Sequence, residues 1–298
     1  MISPPSLKKG DTIGLVATAR RISEQELAKA VSIIESRGYK VAKGKYLFAS
    51  ENQFAGTDEE RTADFQQMIE NPEVKAVFAV RGGYGSVRIV DKIDFRPLLK
   101  NPKWLAGYSD FTVFHNHLIA FGLQSLHATM PLNFTGNTPA ALDSLFDVLE
   151  GLKPHYRFAS HPLNRKGKAV GMMVGGNLSV LYSLLGSRSF PDTAGKILFL
   201  EDLDEYLYHI DRMMMALKRA GVFKNLAGLI IGGMTEMNDN IIPFGKTAEG
   251  IIRESVEEYN FPVAFGFPAG HQPDNRALIM GAEVRLKVDE TGSILDFN

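Results

Sequence analysis

Short apolar runs alternate with segments of helical period along this chain, and that alternation restricts it to few architectures. Thr12–Ala17, Tyr39–Ala42, Val74–Val80 and Trp104–Ala106 have the length and content of buried strands. Between them, Glu24–Gly38, Asp58–Glu70, Ser86–Asp91 and Phe111–Phe121 read as helices, with Asp58 placed to cap the second. Strands separated by helices build a largely parallel sheet covered on both faces. The character changes near Gly151. Lys153–Lys168 carries two prolines, several basic residues and no period, which reads as a linker. Beyond it, Ala169–Val174, Ile197–Glu201, Gly228–Gly232, Pro262–Phe265 and Glu283–Val288 read as strands, and Leu178–Leu185 and Ile210–Ala220 as helices. The expectation is an α/β chain in two units. Residues 1–150 hold a mostly parallel sheet, 151–168 link, and 169–298 form a second α/β unit with a mixed sheet.

Composition excludes several functions. With no cysteine, disulfides, thiolate metal sites and cysteine nucleophiles are ruled out. A formal net charge of -1 without a basic run gives a nucleic-acid partner no electrostatic footprint. The first ten residues lack the apolar core of a secretory signal, and no apolar run reaches the roughly 20 residues of a membrane span. The expected setting is the cytoplasm, with no membrane partner.

Four segments carry possible chemistry. Gly107-Tyr108-Ser109-Asp110 lies between a short strand and a helix, the setting of a nucleophile elbow. Such a turn lifts the Ser109 hydroxyl clear of the sheet and aims the Asp110 N–H at a developing oxyanion. The spacing departs from G-x-S-x-G, and a serine or aspartate capping the next helix accounts for the same residues. Arg81-Gly82-Gly83-Tyr84-Gly85 follows an apolar strand directly, so its backbone can approach a ligand closely and supply an oxyanion donor, or form a plain tight turn. Its spacing matches neither phosphate-loop pattern. Arg81 there could grip a substrate carboxylate. Glu201 ends an apolar strand but opens the acidic stretch Glu201–Glu205, and His271 lies in a loop. As a base, His271 needs an acid to orient it and a serine within reach. His115 and His117, two apart, face different sides of a helix and make a poor metal pair; no metal site is expected.

Taken in order, these segments resemble the LD-carboxypeptidase family of serine peptidases, the muramoyltetrapeptide carboxypeptidases. The likeness runs through Gly10–Ala17, Ala55–Arg61, Arg81–Ser86, Gly107–Asp110, Gly175–Ser179, Leu200–Asp202, Tyr208–Met213 and Gly270-His271. Departures at Thr18 and Met280, where the family often has proline, touch none of the chemistry. The resemblance implies a Rossmann-like N-terminal domain, a smaller swivelling C-terminal β/α domain, and an active site where they meet. It implies a Ser109–Glu201–His271 triad, oxyanion donors at the N–H groups of Gly83 and Asp110, and no metal or organic cofactor. It implies a small peptide substrate, murein tetrapeptide, from which a terminal D-alanine is removed, and brings in a homodimer. Some relatives instead cleave peptide–nucleotide antibiotics as self-immunity peptidases. That activity would want a stacking platform; the one tryptophan, Trp104, falls in a strand. The loops Asn133–Pro139 and Gly186–Asp192 would discriminate between these substrates. A protein closing on a ligand without turnover is a third option, disfavoured by the intact residue set.

Overall fold

The computed structural model describes all of residues 1–298. Two sheets organise it. The first is built from β1 (Thr12–Val16), β2 (Lys40–Lys43), β3 (Val74–Ala79), β4 (Trp104–Gly107) and β5 (Ser125–His127), in the order β2-β1-β3-β4-β5 and parallel throughout. The second half of the chain supplies β6 (His155–Phe158), β7 (Gly167–Asn177), β8 (Ile197–Leu203), β9 (Gly228–Thr235), β10 (Val263–Phe265), β11 (Leu278–Met280), β12 (Glu283–Asp289) and β13 (Gly292–Phe297). Of these, β11 crosses back and pairs antiparallel with β5. The rest form a sheet ordered β10-β9-β8-β7-β12-β13-β6, parallel from β10 to β7 and antiparallel beyond. The largest of three apolar clusters draws on both sheets: Leu15, Phe78 and Trp104 from the first pack with Ile197, Phe199 and Leu286 from the second.

The strand–helix alternation of the first 150 residues is realised, with differences that have local causes. Thr57, not Asp58, caps the helix Asp58–Glu70: its hydroxyl accepts from the Glu60 N–H at 3.2 Å, and the Glu60 carboxylate accepts from the Thr57 N–H at 2.8 Å. This is a capping box, and it leaves Asp58 free to pair with Arg61 and Arg88. The stretch 151–168 is not structureless: β6 lies in it. Paired only through β13 and only four residues long, β6 buries Tyr156 alone, too short a run for a period to emerge. The helices Pro139–Leu149 and Ala248–Ser255 were absent from the sequence expectation. Each has a threonine N-cap, Thr138 and Thr247, and the first has proline at its first position.

Parallel strands bring their carboxyl ends to one edge. In the first sheet, Val16 of β1 pairs with Ala79, and Phe78 of β3 with Ala106. The loops after β1, β3 and β4 therefore rise together, as crevice-forming loops do in open α/β sheets.

Candidate active site

Ser109 stands on the loop after β4. Its φ is +61°, a left-handed conformation rare for a serine, at the first residue of the short 3₁₀ turn Ser109–Phe111 that leads into the helix Thr112–Ala120. Strain of this kind is characteristic of an elbow that thrusts a side chain outward. His115 on that helix secures the strand end. Burial pushes its pKa down to about 3, so the ring is neutral; Nε2–H donates to the Gly107 carbonyl at 2.9 Å and Nδ1 accepts from Ser125 at 2.8 Å.

Glu201 arrives from the second sheet. The register of β8 against β9 shifts between Leu200 and Asp202, with the extra residue on β9, while β8 stays in register with β7 through Asn177 opposite Glu201, so Glu201 keeps the face of Ile197 and Phe199, which pack with the first sheet. Glu201 is fully buried, and its Oε2 accepts from His271 Nδ1 at 2.7 Å and from the His271 backbone N–H at 3.2 Å. On the far side of the imidazole, Nε2 lies 3.1 Å from Ser109 Oγ. The three side chains proposed from sequence thus form one hydrogen-bonded line, from serine through histidine to buried carboxylate, with the Tyr108 ring 4.9 Å from the imidazole. Burial alone would raise the Glu201 pKa, but the charge and hydrogen bond of His271 reverse this and hold it low. For His271, burial favours the neutral ring, and Glu201 outweighs it, lifting the pKa above the imidazole norm.

The loop bearing His271 needs glycine before it. Gly270 has φ +107°, and a Cβ there would stand 2.6 Å from Glu201 Oε2 and 2.8 Å from its Cβ. Gly270→Ala should therefore fold yet displace the Glu201–His271 pair, lowering kcat by about 100-fold or more. Steady-state kinetics within a factor of three of wild type would contradict this.

The glycine loop after β3 meets the elbow closely. A Cβ on Gly82 would lie 3.1 Å from Ser109 Oγ. The Asp110 carboxylate accepts from the Ser86 N–H at 2.8 Å, and buried Arg61 donates to the Thr18 and Gly85 carbonyls at 2.7 and 3.0 Å, so the three loops are mutually tied. Neither the Gly83 nor the Asp110 backbone N–H is spent on an acceptor within the protein. Arg81 is turned elsewhere. Its guanidinium donates to the Arg21 carbonyl at 2.8 Å and lines a cavity with Ser23, Glu26, Phe48 and Ser50, apart from the one bordering His271.

The cavity at His271, about 410 Å³, is walled by Tyr108, the Asn133–Asn137 loop, Glu236 and Gln272. Of the two loops flagged in the sequence, only this first one borders it; Phe190, Pro191 and Asp192 line a different cavity with Met1 and Ile119.

Sequence inspection missed what clamps the two halves together. Asn116, on the helix behind the elbow, donates from its amide to the Gly175 carbonyl at 2.9 Å and accepts from the Gly175 N–H at 3.1 Å. Thr112 Oγ1 accepts from the Asn177 N–H at 2.9 Å, and a Cβ on Gly176 would come 2.5 Å from that same oxygen. Asn177 in turn donates to Asp202, beside Glu201, at 2.8 Å; burial, with Glu201 adding to it, pushes Asp202 up to about 7. The Gly175-Gly176-Asn177 run was the available signal, because two glycines at a strand end permit close approach. Asn116→Ala would strand a buried N–H and a buried C=O, costing about 2–4 kcal/mol in denaturant unfolding; a loss below about 0.5 kcal/mol would show the clamp to be dispensable.

Comparison with known proteins decides the family. Models of the LD-carboxypeptidase N-terminal and C-terminal domains match residues 13–128 and 170–286. The chain is 35% identical over 306 residues to a probable murein peptide carboxypeptidase of Bacillus subtilis, covering 98% of this chain and 94% of the relative. It belongs to the LD-carboxypeptidase family. With the relatives and the solved structure that follow, it is a serine-type carboxypeptidase. A murein tetrapeptide carboxypeptidase of Pseudomonas aeruginosa is 28% identical over 292 residues, 92% of each chain. The crystal structure of muramoyltetrapeptide carboxypeptidase from Oxalobacter formigenes superposes with a TM-score of 0.89 at 29% identity, covering 96% of this chain and 98% of that one. The two-sheet α/β fold described above is the fold of this family.

Proposed function

We propose that this chain is a serine carboxypeptidase that releases the terminal D-alanine of murein tetrapeptide in cell-wall peptide recycling. The observation that carries the mechanism is the unbroken line from Ser109 Oγ through His271 to Glu201, beside two unspent backbone N–H donors. Ser109 Oγ attacks the carbonyl carbon of the amide joining an L-centre to the D-amino acid, and His271 Nε2 takes its proton. The N–H groups of Gly83 and Asp110 hold the oxyanion. His271 returns the proton to the leaving nitrogen as the C–N bond breaks, and D-alanine departs. Water, deprotonated by the same imidazole, then cleaves the acyl ester and restores Ser109. Glu201 keeps the proton on Nδ1 and stabilises the imidazolium formed in each half-reaction. The nucleophile comes from residues 1–150 and the acid and base from 169–298, so catalysis depends on their registry.

A peptide–nucleotide substrate would call for an aromatic platform. Trp104 is only 4% exposed and packs in the core, which favours the murein substrate. No helix is long and apolar enough to cross a membrane. A cytoplasmic setting and a homodimer complete the proposal on the strength of the family likeness.

The test is free D-alanine, measured after incubating the enzyme with murein tetrapeptide. Release is the expected result. No release, alongside cleavage of a peptide–nucleotide amide, would overturn the substrate assignment.

A further inference from the structure

An enzyme that removes one terminal residue must recognise a free carboxylate, and desolvating that charge requires a cation or strong donors. The cavity walled by Tyr108, Glu236 and His271 has no lysine or arginine in its lining, and Glu236 gives it a carboxylate. The carboxylate of a leaving group has to be met on the other side of Ser109.

That side is the switch point of the first sheet. The strand order β2-β1-β3-β4-β5 reverses direction between β1 and β3, and ligands of such sheets bind where the loops after those two strands diverge. Arg20 lies on the loop after β1. Its backbone is fixed: the Ala55 N–H donates to the Ala19 carbonyl at 3.0 Å, the Arg21 N–H donates to the Gln53 carbonyl at 3.0 Å, and Arg20 itself bridges to Phe54. Its side chain is exposed and makes no hydrogen bond or ion pair within the protein. The stem lies against the glycine loop. A Cβ built on Gly83 would stand 2.6 Å from Arg20 Cγ and Cδ and 2.9 Å from Nε, and the neighbouring Gly82 is the residue in contact with Ser109.

The other cations of these loops are committed. Arg61 holds the Thr18 and Gly85 carbonyls, Arg81 the Arg21 carbonyl, and Arg21 the Ser50 hydroxyl. Arg20 is left as a free guanidinium, on a pinned backbone, one residue from the nucleophile's contact.

We propose that Arg20 is the subsite for the free C-terminal carboxylate of the departing amino acid, a specificity determinant for exopeptidase cleavage. The assignment rests on the carboxypeptidase mechanism proposed above. It also orients the substrate: the leaving residue lies toward Gly83 and Arg20, and the acyl portion lies along the Asn133–Asn137 loop and Glu236.

The test compares murein tetrapeptide with its C-terminal carboxamide on wild type, Arg20→Gln and Arg20→Lys. Wild type should prefer the acid. In Arg20→Gln that preference should fall about 10- to 100-fold, chiefly through KM, as expected for losing a charged hydrogen-bond pair. Arg20→Lys, which keeps the charge without the planar fork, should recover part of it. An Arg20→Gln enzyme with the wild-type acid-to-amide ratio would overturn the assignment while leaving the mechanism standing. A wild type unable to cleave the tetrapeptide at all would overturn both.

Discussion

Ser109→Ala should reduce kcat on murein tetrapeptide on the order of 10⁶-fold, to the residual rate that a binding pocket and oxyanion donors sustain without a nucleophile. The size of the loss follows from geometry. Nothing else with nucleophilic chemistry stands within hydrogen-bonding reach of His271 Nε2, so no neighbouring group can take over. The variant should fold normally, because alanine occupies the φ of +61° at about the same cost as serine. Calorimetry on the variant should still register tetrapeptide binding, since Asn133, Asn137, Glu236 and Gln272 are untouched. Turnover within tenfold of wild type would eliminate Ser109 as the nucleophile.

Glu201→Gln should cost about 10⁴-fold in kcat and also move the pH profile. Glutamine is isosteric, but its amide can present N–H to Nδ1 and favour the tautomer whose proton faces Ser109. The pH shift has a definite sign. In wild type Glu201 holds the His271 pKa above the usual 6.5, so the acid limb of kcat/KM, where His271 becomes protonated and useless as a base, should begin above that value. Removing the carboxylate leaves burial as the dominant influence, and burial favours the neutral ring. The limb should then slide to lower pH even as the plateau collapses. An unmoved limb in the variant would mean that some other group governs it.

Much of this site was legible in the sequence, and for identifiable reasons. Ser109 announces itself by sitting between a four-residue apolar strand and a helix, and Glu201 by closing an apolar run; both are consequences of parallel strands delivering their ends to one edge. What a linear reading lacks is tertiary placement. Glu201 follows Ile197 and Phe199 on one face of β8, but that this face meets the first sheet and His271 is set by how the two sheets pack, which periodicity does not report. Arg81 and Arg20 make the same point. Both follow strands and both carry a guanidinium, but only the fold shows that one donates to the Arg21 carbonyl and the other makes no hydrogen bond or ion pair within the protein. Asn116 was hidden differently. Between two histidines on a helix it looks like an ordinary polar position, and its partner, the Gly175 backbone, has no side chain to betray the contact. The strands β5, β6, β11 and β13 were missed: β6 buries one residue of its four, and β5 and β11 are three residues long.

The return of β11 to the first sheet has a consequence for how such an enzyme can be divided or recombined. Only seven residues after His271, the chain leaves the second sheet's neighbourhood and stitches itself along β5, Leu278 opposite His127. A fragment ending near residue 150 would therefore lack its own outermost strand and expose a bare β5 edge, inviting self-association. A fragment beginning there would carry an orphan strand with nothing to pair against. The serine-bearing and histidine-bearing portions are thus not interchangeable cassettes: swapping one between relatives imports a strand that must fit the host's sheet, so chimaeras joined near residue 150 should be harder to obtain than the two-sheet outline suggests.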